Sequence, residues 1–435
     1  MALTQNTPSP PSRSRKTPSP DDKIRIGIIG LAGRGFDYHL KTFSEFPDVA
    51  ITAVCDVRGE FVERAIGELA KSNPDHPAKG YKDYEKLLEQ KDLDAVIIAT
   101  PPHWHALMAT AAMEAGKDVL CEKPMSRFPM EALMMAKGAV RFKRVTQVGT
   151  QVHATENYRR VVDVVKSGVL GKVTAIRNFC TMNDDSEGLG SPESTEPPAD
   201  LDWNQWLGPA PQVPYNEGRF RDGMHRYFKD YVDSWLHELG PHIVDLPVWA
   251  AGLGQPLSVT ATAGRYGTES IADVPDTMDV IWEYPDLLMT WTMCQANRFH
   301  FGVGKAGGGR RIGVIFQGTK GTLVANYSLC EFYDNDNKLV DLSKLDIPEV
   351  TPKSPGHERE FLDCIRSRKE PSCSFVNHLP LHVALNLAHV SLKLGRKLQW
   401  DSEKFVIPKD KEATEALTPK YRGKLKLPSY KGNLS

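Results

Sequence analysis

The amino-acid sequence predicts an α/β protein in two parts. The first is a doubly wound parallel sheet, and the second is an α/β domain with a large open mixed or antiparallel sheet. Three observations carry that expectation. Between residues 24 and 150, short apolar runs alternate with helix-spaced segments, the order of a parallel sheet with helices on both faces. The first run, Ile24–Ile29, leads directly into Gly30-Leu31-Ala32-Gly33-Arg34-Gly35. After about residue 150, strand-like runs follow one another without helices between them, the habit of an antiparallel or mixed sheet.

In order, strands are expected at 24–29, 50–55, 94–99, 118–121 and 145–148, with helices at 60–71, 84–90, 104–115 and 131–140. A helix over 157–167 closes at Gly168, and a strand spans 173–180. Residues 181–233, rich in Pro, Gly, Asp and aromatics, read as a long irregular excursion. Strands resume at 257–263, 277–283, 287–293, 312–317 and 321–326. Gln317–Gly321 reads as a tight hairpin turn between the last two. Late helices are expected at 357–366 and 381–394. The resulting division is a Pro/Ser-rich disordered tail over 1–22, a dinucleotide-binding domain over 23–150, and a substrate-binding and oligomerisation domain over 151–435 that ends in helices and a tail.

With 435 residues, 54 basic against 55 acidic side chains and a net charge of −1, the chain lacks the basic footprint of a nucleic-acid binder. Seven scattered cysteines without CxxC pairs point to reduced thiols and a cytoplasmic location. No run is long and apolar enough for a membrane span, and residues 1–20 have no apolar core suited to a secretory signal.

The chemistry-bearing residues cluster at strand ends. A nucleotide-binding turn needs small residues where backbone meets pyrophosphate. It also needs an acid at the end of the second strand to accept hydrogen bonds from a ribose diol. Gly30, Ala32, Gly33 and Gly35 supply the first requirement, and Asp56 the second. Arg34 is placed to reach the pyrophosphate. A carboxylate at 56 favours NAD, and the neighbouring Arg58 leaves NADP open. Thr100, Pro101, His103 and His105 follow the strand at 94–99, and Glu122 and Lys123 follow the strand at 118–121. Ligands bind beyond such carboxyl ends, so these residues, with Gln151 after the strand at 145–148, are expected to meet the cofactor. Lys123 would project toward the nicotinamide. Glu238 and His242 share a helix face at a spacing of four, and Asp245 follows His242 by three. A histidine held by a carboxylate suits a general base. His237-Glu238…His242 has one residue too many for the HExxH zinc motif, so no metal is expected. Tyr227, Trp235 and other aromatics of the excursion offer flat faces for a sugar.

Together these segments resemble the Gfo/Idh/MocA oxidoreductases over nearly all of residues 23–402. The resemblance rests on Gly30–Gly35, Asp56, Thr100–His105, Glu122-Lys123-Pro124, and Gly240-Pro241-His242 with Asp245. It also draws on Trp203–Pro209, Gly318–Gly321 and Leu394–Asp401. It implies an N-terminal NAD-binding Rossmann domain and a homodimer or homotetramer acting on a small carbohydrate. Lys123 would be the lysine of the E-K-P motif and His242 the catalytic histidine, with Lys123, Tyr227, Trp235, His242 and Asp245 at the substrate. Glu238 stands where many dehydrogenases of the family have Asp. The reaction implied is hydride removal from a secondary hydroxyl of a sugar, polyol or glycoside. His237-Glu-Leu-Gly-Pro241 is also similar to the His-Gly-Leu-Gly-Pro segment of the family's NAD-dependent glycosidases, which oxidise, eliminate, hydrate and re-reduce. That route would use His237. Lys123 is generally missing from that branch, which favours the dehydrogenase reading. A cofactor sensor or a pure interaction protein would need neither Lys123 nor His242.

Overall fold

A computed structural model describes residues 22–72, 78–181, 190–267, 269–296 and 311–432; the expected tail, up to residue 21, lies outside them. Among the described residues, fifteen strands, β1–β15, form two sheets. No helix among them is long and apolar enough to cross a membrane, and none of the seven cysteines forms a disulfide among the described residues.

The first sheet comprises β1 (Ile24–Ile29), β2 (Val49–Cys55), β3 (Lys79–Tyr81), β4 (Ala95–Ile98), β5 (Asp118–Glu122) and β6 (Thr146–Gly149). All pairs are parallel, in the order β3-β2-β1-β4-β5-β6. β4, β5 and β6 are buried throughout, because helices cover both faces of the sheet. The strand order reverses between β1 and β4, the switch point at which such sheets bind ligands. β3 is too short for sequence periodicity to reveal. The sequence pattern also gives no sign of the helical stretch after the glycine turn, Arg34–Leu40 continued by Lys41–Ser44. Its first half is wound with the wide i→i+5 turn, which a 3.6-residue pattern does not describe.

The second sheet runs β14 (Leu339–Val340), β13 (Cys330–Tyr333), β12 (Gly321–Ala325), β11 (Ile312–Gly318), β7 (Val173–Thr181), β10 (Leu288–Cys294), β9 (Thr277–Glu283), β8 (Ser258–Gly264) and β15 (Leu398–Gln399). It is mixed: β7 and β10 are parallel and the other pairs antiparallel. Thr319 and Lys320 form the expected tight turn between β11 and β12. Inward residues alternate with exposed ones. Met278, Val280 and Trp282 of β9 are buried while Ile281 is exposed, so one face packs and the other stays open. Helices Glu156–Lys166, Trp235–Ile243, Asp245–Ala251 and Leu379–Leu394 cover the packed face. The Trp282 indole donates to the Ala384 carbonyl at 2.8 Å.

One late helix returns to the first sheet. Phe361, Leu362 and Ile365 of His357–Ser367 are fully buried with Ile24, Ile26, Ile97 and Leu120. Arg359 forks onto the Asp48 carboxylate at 2.9 and 3.0 Å, and Arg368 onto Asp118 at 2.6 and 2.9 Å. Removing the Phe361 ring should therefore cost the first sheet about 3–5 kcal/mol. Denaturant unfolding of Phe361→Ala checks this, and a loss under ~1 kcal/mol would show that this helix is not part of that core.

Candidate active site

The glycine turn is shaped by close approach. Gly30 has φ +91°, and a side chain there would meet the Ala99 carbonyl at 2.7 Å. A Cβ on Gly35 would overlap the Gly30 oxygen, so helix and strand close only around glycine. Asp56, at the end of β2, accepts hydrogen bonds from the Leu31 amide (2.7 Å) and the Arg58 amide (2.9 Å). Burial pushes its pKa up to about 6, against those bonds.

Beside this turn lies a cavity of about 450 Å³, lined on the sheet side by Gly30, Ala32, Arg34, Asp56, Arg58, Thr100 and Pro101. Its other wall comes from the excursion, through Trp206, Phe220, Asp222, His225 and Arg226 among others. Backbone bonds Asp202→Val57 (3.1 Å) and Gly59→Asp200 (3.2 Å) pin that segment to the end of β2, and the rings of Phe61 and Phe220 stack. The Trp206 carbonyl receives both His103 Nε2 and the Trp104 indole at 3.0 Å. His103 therefore holds the wall. His105 bridges two strand-end loops, with Nδ1 2.7 Å from the Pro124 carbonyl and Nε2 2.7 Å from the Thr100 carbonyl. The glycine cradle, the cavity and Asp56 fit a dinucleotide. Arg34, Arg221 and Arg226 add positive charge around it, whereas the Asp222 carboxylate crowds Gly33.

At the carboxyl end of β5, Glu122 and Lys123 point apart. Glu122 is 6% exposed. Its Oε1 accepts from Arg34 Nε (2.8 Å) and meets His39 Nε2 (2.8 Å). Burial opposes its charge, but His39 and Arg34 outweigh burial and hold its carboxyl well below the usual range. Glu122 thus anchors the helix after the glycine turn. Lys123 Nζ donates to Glu238 Oε1 at 2.6 Å and to the Glu238 carbonyl at 3.2 Å. Arg226 Nη1 lies 4.0 Å from the same carboxylate oxygen. Burial again works against the charge, but Lys123, Arg226 and His225 hold the Glu238 pKa at about 2. His242, one turn along, has its pKa lowered to about 4 by burial and by the Lys123 charge, and its Nδ1 has no hydrogen-bond partner. His225 is held at about 3 by burial and Arg226.

His237 is fully buried, its Nε2 2.7 Å from Asn386 Oδ1 and its Nδ1 3.0 Å from the Val232 carbonyl. Trp235 is 2% exposed, and half-buried Tyr227 packs edge-on against it. Trp203, Trp206, Tyr215 and Tyr231 form a small core of their own with Phe228. Gln151 has a positive φ of 51° and a buried, unpartnered Nε2. Asp245 turns toward His153 and His378, at 3.4 and 3.7 Å. Helix Trp235–Ile243 ends before Asp245 begins the next one. Val244 between them keeps helical dihedrals, so Asp245 stays at helical spacing from His242 while its carboxylate faces His153 and His378.

Sequence reading misses His39 as the partner of Glu122, and it misses the wall built by residues 200–226. The signal for His39 is weak: one histidine four residues after Gly35. For the wall there is none, because its contacts join residues far apart in the chain.

Residues 24–150 match the family model described as an oxidoreductase family with an NAD-binding Rossmann fold, and residues 155–271 match that family's C-terminal alpha/beta domain. A glycosyl hydrolase family 109 protein of Shewanella sp. (strain W3-18-1) is 33% identical over 155 residues, 35% of this chain and 34% of the relative. One from Saccharopolyspora erythraea is 36% identical over the same shares. The match thus spans about a third of these relatives' length. Among solved structures, an oxidoreductase domain protein from Kribbella flavida has a TM-score of 0.64 at 21% identity, covering 87% of this chain and 99% of that one. The WlbA dehydrogenase from Bordetella pertussis, in complex with NADH and UDP-GlcNAcA, has 0.63 at 17% identity and the same coverage. At these identities the likeness is one of fold.

Because Asp56 accepts hydrogen bonds on both oxygens only when ionised, NAD affinity should hold above pH 6 and weaken below it, by up to about tenfold per pH unit. Calorimetric titration on both sides of that pKa checks this. Asp56→Asn should bind more weakly and lose the pH dependence; an unchanged profile would remove Asp56 from the cofactor site.

Proposed function

Since the chain belongs to the Gfo/Idh/MocA family of NAD-binding oxidoreductases, we propose that it oxidises a secondary hydroxyl of a sugar, polyol or glycoside. The observation that carries this reading is the Lys123–Glu238 ion pair beside His242, at the carboxyl end of the parallel sheet.

The cofactor would be held by the Gly30–Gly35 turn, by Asp56 at a ribose and by the Thr100-Pro101 loop. When bound, its nicotinamide ring supplies the hydride acceptor. The chain's own groups handle the proton and the charge. With its pKa near 4, His242 is neutral at physiological pH and can take the hydroxyl proton. The Lys123 ammonium, fixed by Glu238, faces the oxygen as it becomes an alkoxide, a role worth ~3 kcal/mol by analogy with oxyanion donors. Glu238 orients Lys123 and lies near Arg226 as well.

The relatives named as glycosyl hydrolases support a second reading, in which oxidation is transient and a glycosidic bond is eliminated before re-reduction. Against it, His237 has both ring nitrogens engaged in the core, and Lys123 is present.

A panel of sugars and aryl glycosides, assayed for NADH and for released aglycone, separates the two. NADH accumulation is expected, with turnover reduced about 10²- to 10⁴-fold in Lys123→Ala and His242→Ala. Aglycone release without net NADH would favour the glycosidase reading, and turnover unaffected by both substitutions would overturn the proposed site.

A further inference from the structure

Behind the strand-end cluster, a second set of reactive side chains is buried. His153 follows β6, Cys373 and His378 precede helix Leu379–Leu394, and Asp245 opens helix Asp245–Ala251. Among the described residues, ligand atoms of His153, Cys373 and His378 lie within 4.8 Å of one another. Asp245 Oδ2 borders the two histidines of this group, 3.4 Å from His153 Nε2 and 3.7 Å from His378 Nε2.

Cys373 is 0%, His378 2% and Asp245 3% exposed. Neither ring nitrogen of His153 or His378 has a hydrogen-bond partner, and neither does Asp245 Oδ2. Buried polar atoms are ordinarily paired, so several unpaired ones around one point call for a shared partner. A tetrahedral ion with bonds of about 2.0–2.3 Å sets its ligand atoms about 3.3–3.8 Å apart, which matches the two carboxylate–imidazole spacings. The surroundings fix these side chains. The His153 ring stacks on Trp249 with centroids 4.0 Å apart, the Val148 amide donates to the Cys373 carbonyl at 2.8 Å, and Thr150 Oγ1 donates to the Cys373 sulfur at 3.6 Å.

We propose that His153, Cys373 and His378, with Asp245 beside the two histidines, bind one zinc ion, which clamps the turn after β6 to the head of helix Leu379–Leu394. A thiolate, two imidazoles and a carboxylate suit zinc, and a carboxylate in place of a thioether argues against an electron-transfer copper site. Cys373 and His378 are buried away from solvent, so the centre is structural. It does not depend on the reaction assigned to Lys123 and His242.

The test is metal analysis of the full chain, purified reduced and without a histidine tag. About one zinc per chain is expected. Cys373→Ser and His378→Asn should each lose most of it, while Cys330→Ser, outside the cluster, should keep it. Cobalt(II) in the unsubstituted protein should give a thiolate-to-cobalt charge-transfer band. Should either variant fail to fold, a strong chelator should lower the melting temperature of the unsubstituted protein and added Zn²⁺ should restore it. The proposal is overturned if the reduced protein takes up neither Zn²⁺ nor Co²⁺, if both variants retain zinc, or if copper or iron occupies the site instead.

Discussion

The contact on which the site depends is the ion pair between Lys123 and Glu238. Lys123 ends a strand of the parallel sheet, and Glu238 lies in the first turn of a helix that covers the second sheet. Each group is largely buried, with side-chain exposures of 16% and 8%. Breaking such a pair leaves an uncompensated charge, at a cost of about 3–5 kcal/mol. The pair ties the end of the parallel sheet to helix Trp235–Ile243, which also carries His242. Burial is the main reason His242 stays neutral, and the Lys123 ammonium adds to it by disfavouring a second cation, against the pull of Glu238.

Glu122 performs a complementary task one residue earlier. Facing inward, it ties β5 to the helix that follows the glycine turn through Arg34 and His39. Glu122 is the last residue of β5 and Lys123 follows it, so one dipeptide both braces the cofactor turn and places an ammonium against Glu238. The segment at 200–226 adds the outer wall. Its aromatic side chains pack mainly on one another, and that small core holds Arg226 and His225 near Glu238.

Much of the first sheet is legible in the sequence, because buried strands and helix-spaced segments carry their own periods. Gly30, Gly35 and Asp56 are legible because the required backbone conformation and close approach admit few residue types. Short edge strands such as Lys79–Tyr81 and Leu398–Gln399 are not, since two or three residues hold no period. Asp245 shows a different limit. Its spacing from His242 suggests a pair, but the carboxylate faces His153 and His378. His153, Cys373 and His378 are brought together only by the fold, so no local spacing announces them.

In the proposed reaction, hydride would leave a carbohydrate carbon beside Lys123 and His242, with the glycine turn, the ion pair and the neutral histidine each contributing. The most direct measurement of it uses a substrate deuterated at its secondary carbinol positions, with the cofactor analysed by mass spectrometry after a single turnover. The nicotinamide should gain one deuterium, and Lys123→Ala should abolish the transfer. A cofactor that binds yet gains no deuterium from any carbohydrate tested would contradict this assignment.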